Sequence, residues 1–161
     1  WWHLITDQTM LSHCEMGWRV LPSLGNKKDR DALITGIKDK LISAIAVHSV
    51  PLDEEEILLP TDKRLPGLSG HQLVLPALWQ ELIVKEKLSI EKLWNLISFG
   101  PSRMIKSKEE KIEIGSKRWI LFDPNHSWTQ TRYEKSSPNA ANQPWEGKEI
   151  LGKVILSGLK T

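Results

Sequence analysis

The stretch Leu41-Ile42-Ser43-Ala44-Ile45-Ala46-Val47, followed at once by His48-Ser49-Val50-Pro51, decides the fold that the sequence predicts. Its first part is apolar or small without polar alternation, which is typical of a strand buried on both faces of a parallel sheet. In parallel sheets and barrels, ligands and catalytic groups lie in the loops that follow the strands. The loop of residues 48–51 is therefore the first candidate functional site.

The segments around this stretch predict an α/β order. Residues 1–6 are expected to form a short strand, and residues 17–21 an extended segment. Asn26 is a candidate N-cap with Asp29 at the third helical position, and apolar residues then recur at helical spacing as far as Leu41. Strand, helix and buried strand in this order predict a right-handed βαβ crossover.

The rest of the chain changes character near residue 110. Two helices are predicted after Gly70, one with Pro76 near its start and one capped by Ser89 and ended by Gly100-Pro101. Short strands are then predicted at residues 118–122, 128–133 and 149–156, with Asp123-Pro124-Asn125 closing the first and a polar loop at 136–144. We therefore predict two parts, residues 1–109 and residues 110–161.

Composition excludes several classes of function. The 161 residues include 22 basic and 20 acidic side chains, for a formal net charge of +2, without a dense block of either sign. This pattern argues against a nucleic-acid-binding or membrane-binding surface. A single cysteine, Cys14, cannot form an internal disulfide, so we expect a reducing, cytoplasmic location. Because the chain opens on Trp1-Trp2-His3 without methionine, we expect a piece of a longer protein.

Several polar residues have both a functional and a structural interpretation. Asp53-Glu54-Glu55-Glu56 could hold a divalent cation, but its ligands do not alternate, which favours a solvated loop. His3 could be a ligand or a hydrogen-bonded histidine of the core. The pair His13-Cys14 fits no closed tetrahedral metal pattern. The remaining histidines, His71 and His126, are expected at a helix start and in a turn.

The order of segments resembles the carboxyl-terminal part of dihydroorotase, a cyclic amidohydrolase. No single motif is specific, but the resemblance is collinear over nearly the whole chain. The stretches that carry it are Trp2-His3-Leu4, Asp29-Arg30-Asp31-Ala32-Leu33-Ile34, Ala44-Ile45-Ala46-Val47, Leu65-Pro66-Gly67-Leu68-Ser69-Gly70, Val74-Leu75-Pro76-Ala77-Leu78-Trp79, Ser98 to Arg103, Leu121-Phe122-Asp123-Pro124, Asn142-Gln143-Pro144-Trp145-Glu146-Gly147 and Gly152-Lys153-Val154.

The resemblance implies a fold and a reaction. The fold would be the last β/α units of a TIM-like, metal-dependent hydrolase barrel, followed by a small β subdomain. The family reaction is the reversible hydrolysis of dihydroorotate to N-carbamoyl-aspartate in pyrimidine biosynthesis, with zinc-type ions activating a bridging water. The family's metal-ligating histidines and bridging lysine lie on strands that would precede Trp1. We therefore expect no zinc to be bound by this chain alone.

The family's functional residues are altered where this chain can be compared. The family ends its last barrel strand in Asp-His-x-Pro, and the register here places His48 at the aspartate, which binds metal and shuttles a proton, and Ser49 at the substrate-holding histidine. Leu21 stands where the family has a substrate-contacting asparagine. Pro66 and Gly67 occupy further substrate-site positions. Imidazole can ligate zinc or accept a proton, so His48 remains a possible metal ligand.

Further departures point in the same direction. Gly100-Pro101-Ser102-Arg103 replaces the family's Asn-Pro-Ala-Arg, and Arg118-Trp119 replaces Ala-Asp. Three hypotheses follow: an active cyclic amidohydrolase that tolerates His48, a non-catalytic scaffold for a partner such as aspartate transcarbamoylase, or a remnant without activity. We favour an inactive enzyme. The chain should also need its amino-terminal half or an oligomeric partner, because part of a barrel leaves open sheet edges.

Overall fold

The computed structural model describes residues 1–11, 19–108, 111, 113–131 and 140–158, without the side chains of residues 10 and 11. Short helices come first: α1 (Trp2–Ile5), α2 (Gln8–Leu11), α3 (Lys27–Lys38) and α4 (Glu54–Ile57). A 3-10 turn (His71–Leu73) leads into α5 (Val74–Leu78) and a π-helical stretch (Trp79–Lys85). Then follow α6 (Ile90–Trp94), a second π-helical stretch (Asn95–Phe99), α7 (Gly100–Met104) and the strands β1 (Ile120–Thr129) and β2 (Glu149–Ser157).

The two amino-terminal strands predicted from the sequence are wrong. Residues 1–6 contain α1, and residues 42–47 form no strand, so no βαβ crossover is present among the described residues. A strand needs a hydrogen-bonded neighbour along its length. Here the backbone N–H of Ile45 donates to Leu96 O at 2.8 Å, and the Trp1 nitrogen donates to Ala46 O at 3.0 Å. These isolated bonds hold the segment in place without building a ladder.

Helix α3 begins where the sequence predicts. The Asn26 side chain accepts from the backbone N–H groups of Lys28 and Asp29, and the Asp29 carboxylate accepts from the Asn26 N–H at 2.8 Å. This reciprocal capping box satisfies amide groups that the first helical turn leaves without partners. The helix ends at Lys38 rather than at Leu41, which is 81% exposed.

The acidic cluster is a capped helical turn. Asp53 accepts from the Glu56 N–H at 2.8 Å, and Glu56 accepts from the Asp53 N–H at 2.9 Å, which begins α4 in place of the predicted loop. In the described part of the chain, no group of three or more His, Cys, Asp or Glu side chains could hold a metal ion.

The helices after Gly70 are confirmed, but the second one extends beyond its predicted end. Ser89 caps α6 through a hydrogen bond from Lys92 N at 3.2 Å. The run does not stop at Gly100, because Pro101 lies in the first turn of α7, where a missing N–H costs nothing. Residue 100 must be glycine, because a Cβ at this position would overlap the backbone carbonyl of Ser43.

The strands β1 and β2 form an antiparallel pair, from Ile120 opposite Ser157 to Thr129 opposite Glu149. The predicted stop at Asp123-Pro124-Asn125 is wrong, since β1 continues to Thr129. Its register shifts between Asp123 and Ser127, where Pro124 has no N–H to donate. The prediction of a strand at residues 128–133 is confirmed for Trp128 and Thr129 and wrong for Gln130 and Thr131, which lie beyond the end of β1. Residues 132 and 133 lie outside the described residues.

One apolar core joins the helices. Its fully buried residues in the helical region include Trp2, Ile37, Leu68, Leu73, Leu78, Leu82, Leu93 and Leu96. The sheet packs on this core through Phe122, whose ring centroid lies 5.2 Å from that of Trp79. None of the described helices is both long and apolar enough to cross a membrane. The division at residue 110 stays a prediction.

Candidate functional site

The loop that follows residues 42–47 carries His48 in a half-buried position. Its carbonyl oxygen accepts a hydrogen bond from Trp1 Nε1 at 3.0 Å. The ring nitrogen Nε2 is buried and has no hydrogen-bond partner among the described residues. Burial lowers the pKa of His48, and the nearby side chains of His3 and His71 lower it further when charged. The lowered pKa favours the neutral imidazole.

Ser49 acts as an acceptor toward a neighbouring loop. Its Oγ accepts from the backbone N–H of Gly70 at 3.3 Å. One residue further on, the Val50 N–H donates to Leu68 O at 3.1 Å. These two bonds bring the loop after residue 47 against residues 67–70.

Pro66 and Gly67 lie in that neighbouring loop. Pro66 is half-buried and Gly67 is buried. A Cβ on Gly67 would overlap the side chain of Val50, so only glycine permits the observed approach of the two loops. The structure therefore brings together four of the predicted site residues: His48, Ser49, Pro66 and Gly67.

Leu21 is not packed into this arrangement. Its side chain is 71% exposed, and no hydrogen bond between described residues connects it with either loop. Next to it, the carbonyl of Pro22 lies 3.0 Å from His3 Nε2. His3 therefore has a hydrogen-bonding structural role. The pair His13 and Cys14 lies outside the described residues.

Asn142 is the central residue of the site that the sequence did not identify. It is 1% exposed. Its Nδ2 donates to the carbonyl oxygens of Val50 at 2.7 Å and Gly67 at 3.0 Å, and its Oδ1 accepts from the Leu52 N–H at 2.9 Å. No local sequence signal marks this role, because the bonded residues lie 75 to 92 positions away.

An aromatic cluster borders the same loops. The ring centroids of Trp1 and Trp2 are 4.0 Å apart, and Trp2 stacks on Trp145 at 5.5 Å. A Cβ on Gly70 would lie 3.3 Å from the Trp2 ring, so little space remains between cluster and loop. Trp1 and Trp2 are buried, at 4% and 0% exposure.

The described residues do not build a metal site by themselves. His48 Nε2 is chemically suited to ligate zinc, but the described residues contain no cluster of at least three His, Cys, Asp and Glu groups that would complete a site. An acid–base or metal role for His48 would therefore need groups from outside this set.

A relative from Synechocystis with the name "Probable dihydroorotase-like protein" is 34% identical over 163 residues, covering 96% of this chain and 36% of the relative. The dihydroorotase of Aquifex aeolicus is 33% identical over 156 residues, covering 95% of this chain and 36% of its own. The chain belongs to the dihydroorotase-like family. It corresponds to the carboxyl-terminal part of these dihydroorotase-like proteins and spans little more than a third of their length. No family model matches the chain.

Solved structures show the fold of this dihydroorotase-like chain. Dihydropyrimidinase from Brevibacillus agri matches 98% of the chain with a TM-score of 0.81 at 22% identity, and the match covers 36% of that enzyme. D-Hydantoinase from Bacillus sp. AR9 matches 98% of the chain with a TM-score of 0.78 at 20% identity, over 37% of its length. The predicted fold class is thereby confirmed: the chain has the mixed helix and strand fold of the carboxyl-terminal region of amidohydrolases.

Proposed function

We propose that the protein is a dihydroorotase-like cyclic amidohydrolase in family and fold, acting in the cytoplasm, in which the site supplied by this chain does not hydrolyse dihydroorotate. The family reaction opens a cyclic amide to N-carbamoyl-aspartate. In the parent family, zinc activates the attacking water, and an aspartate at the end of the last barrel strand takes up its proton. His48 occupies that aspartate position by the register of residues 44–51.

The setting of His48 is the observation that carries the proposal. A carboxylate at this position would supply a negative charge and two acceptor oxygens. His48 supplies a neutral ring, because burial and nearby positive charges lower the pKa of its imidazole. A neutral imidazole can accept a proton, but it cannot balance a metal charge as a carboxylate does. This difference supports loss of the family reaction.

Two other positions support the same conclusion. Ser49 uses its hydroxyl oxygen to accept the Gly70 N–H, so it holds a loop where the family has a histidine that contacts substrate. Leu21 has only an alkyl side chain, and that side chain is 71% exposed, so it offers none of the amide hydrogen bonds of an asparagine.

A gain-of-function experiment tests the proposal. We expect the intact protein to show no ring opening of dihydroorotate, and His48→Asp combined with Ser49→His to restore measurable activity. The gain from a positioned acid–base group is about 10²–10⁴-fold over the uncatalysed background. His126→Asp provides the control, because it adds a carboxylate at an exposed histidine on β1, which is not among the groups that shift the pKa of His48. Ring opening by the unsubstituted, metal-loaded protein would refute the proposed loss of activity.

A second candidate function is that of a non-catalytic scaffold, with aspartate transcarbamoylase as a possible partner. The observation that favours it is a set of apolar side chains exposed on the strand pair, with Leu121 at 52% and Leu156 at 56% exposure. Such side chains on a surface suit a protein contact. If the doubly substituted protein also fails to open the ring, copurification with aspartate transcarbamoylase decides for this candidate, and recovery of free monomer decides against it.

A further inference from the structure

The side chain of Asn142 reaches two chain segments that are distant from it in sequence. Through Nδ2 it donates to Val50 O and Gly67 O, at 2.7 and 3.0 Å, and through Oδ1 it accepts from Leu52 N at 2.9 Å. Its own carbonyl oxygen accepts from the Ser69 N–H at 3.1 Å. Both donor hydrogens and an acceptor of one amide are therefore committed to the loops of residues 48–52 and 66–69.

These two loops carry the candidate site. His48 and Ser49 directly precede Val50, and Pro66 directly precedes Gly67. The Val50 and Gly67 carbonyl oxygens accept from the same Nδ2, which fixes their separation within the reach of one amide group. Without that donor, the carbonyl groups of Val50, which is half-buried, and of Gly67, which is buried, would each lose this hydrogen bond, at a cost in free energy.

The loop that contains Asn142 is held by hydrogen bonds of the neighbouring residue, Gln143. The neighbouring side chain of Gln143, 1% exposed, donates from Nε2 to Ala140 O at 3.2 Å. Its Oε1 accepts from Gln72 Nε2 at 3.2 Å and from Gln130 Nε2. Gln130 follows β1, and Gln72 lies in the 3-10 turn that leads into α5. The loop containing Asn142 is thus attached both to the strand pair and to the helices before it contacts the site.

We propose that Asn142 is the positioning residue of this site, setting the relative placement of residues 48–52 and 66–69. It does not touch reacting atoms. The proposal concerns the shape of the site and holds whether or not the protein hydrolyses dihydroorotate. It also explains how a residue of the carboxyl-terminal part can control two loops of the helical part, which lie between α3 and α5.

Hydrogen exchange of the intact protein tests this role. Asn142→Ala is expected to speed exchange of the Leu52 and Ser69 amides by about five- to a hundredfold, the range expected when a buried hydrogen bond is lost. Exchange in α3 (Lys27–Lys38) should be unchanged. Asn125→Ala is the matched control, because Asn125 is exposed on β1. It should leave both loops at their original exchange rates.

A second variant separates positioning from general support of the fold. Asn142→Asp keeps an acceptor for Leu52 and replaces the donor with an acid that ionises near its ordinary pKa of about 4 or above. The measured quantity is the protection of residues 48–52 and 66–69 from hydrogen exchange, compared with the parent protein at each pH. It should fall when the acid is ionised, and it should partly recover when the acid is protonated and can donate one hydrogen bond. A pH-independent loss, unchanged loops in both variants, or equal loss of protection in α3 would overturn the proposal.

Discussion

At the scale of single residues, the site depends on two polar side chains with opposite hydrogen-bonding states. Asn142 uses its amide fully, in bonds to three backbone groups. The Nε2 of His48 is buried without a bonded partner within the described residues. Removing a partner from a buried polar group costs about 1–3 kcal/mol, so the first residue stabilises the loops and the second does not.

The lowered pKa of His48 predicts a pH dependence of stability. The folded state binds its proton less readily than the unfolded chain, whose histidines titrate near about 6.5. The contribution of His48 is therefore complete above about pH 6.5 and is lost as the pH falls below that value. The titratable side chains that act on it are His3 and His71, and each, when charged, acts in the same direction.

Urea unfolding measured with and without His48→Gln tests this dependence, with a chelator present so that only protons compete for the ring. Between about pH 7.5 and pH 5.5, the parent protein should lose more stability than the variant, by less than about 1 kcal/mol because the ring is partly solvated. A His126→Gln variant, at an exposed histidine, should follow the parent protein. Parallel curves for the parent and His48→Gln would contradict the assignment.

At the scale of elements, the sequence predicted those features that depend on hydrogen bonds between residues close in the chain. The Asn26 and Ser89 caps bond to amides two or three residues away, and both were predicted. The errors at residues 1–6 and 42–47 have different outcomes but one origin, because an apolar run does not determine its own hydrogen-bond partners. Residues 2–5 form a helix, and residues 42–47 form neither a helix nor a strand. Pro124 was expected to end a strand, but the ladder tolerates it with a register shift.

Gly152 gives a test of how tightly the strand pair is packed on the helices. It adopts φ +104° within β2, and a Cβ there would lie 2.8 Å from Phe122 Cζ. Gly152→Ala should therefore combine backbone strain of about 1–2 kcal/mol with about 1–3 kcal/mol of overpacking.

The matched control for this substitution is Gly115→Ala. Gly115 has φ +89° and no atom within 4 Å of the added Cβ, so its substitution introduces backbone strain without overpacking. Free energies of unfolding from urea titrations measure both. Equal losses in the two variants would mean that Phe122 yields to the new methyl group and that the strand pair is loosely packed.

At the scale of the whole molecule, family and fold class were predictable because collinear matches accumulate over the chain even where no single motif is specific. The shape of the site was not. Asn142 reaches residues 75 to 92 positions away, and such contacts are fixed by the packing of the helices and the strand pair together. Periodicity and turn chemistry report only local preferences. The assignment of His48, Ser49 and Leu21 to altered site positions rests on sequence register and stays a prediction.

The outer face of the strand pair gives a prediction for the 161-residue chain by itself. Leu121 and Leu156 are directly opposite each other in the ladder and 52% and 56% exposed, and both strands have an unpaired edge within the described residues. Open edges and exposed apolar side chains promote pairing between chains. The isolated chain should therefore self-associate, and Leu121→Lys with Leu156→Lys should raise its monomer fraction in sedimentation.

The control introduces the same two positive charges at exposed apolar residues outside the sheet. Leu41→Lys with Leu58→Lys changes side chains that are 81% and 76% exposed, on segments that form no strand. If net charge alone limited association, the two pairs of substitutions would raise the monomer fraction equally. A larger effect at Leu121 and Leu156 would assign association to the strand pair, because the added charges would then face each other across the approaching sheets. A sharp, reversible unfolding transition of an unsubstituted monomer would show that the open edges do not drive association.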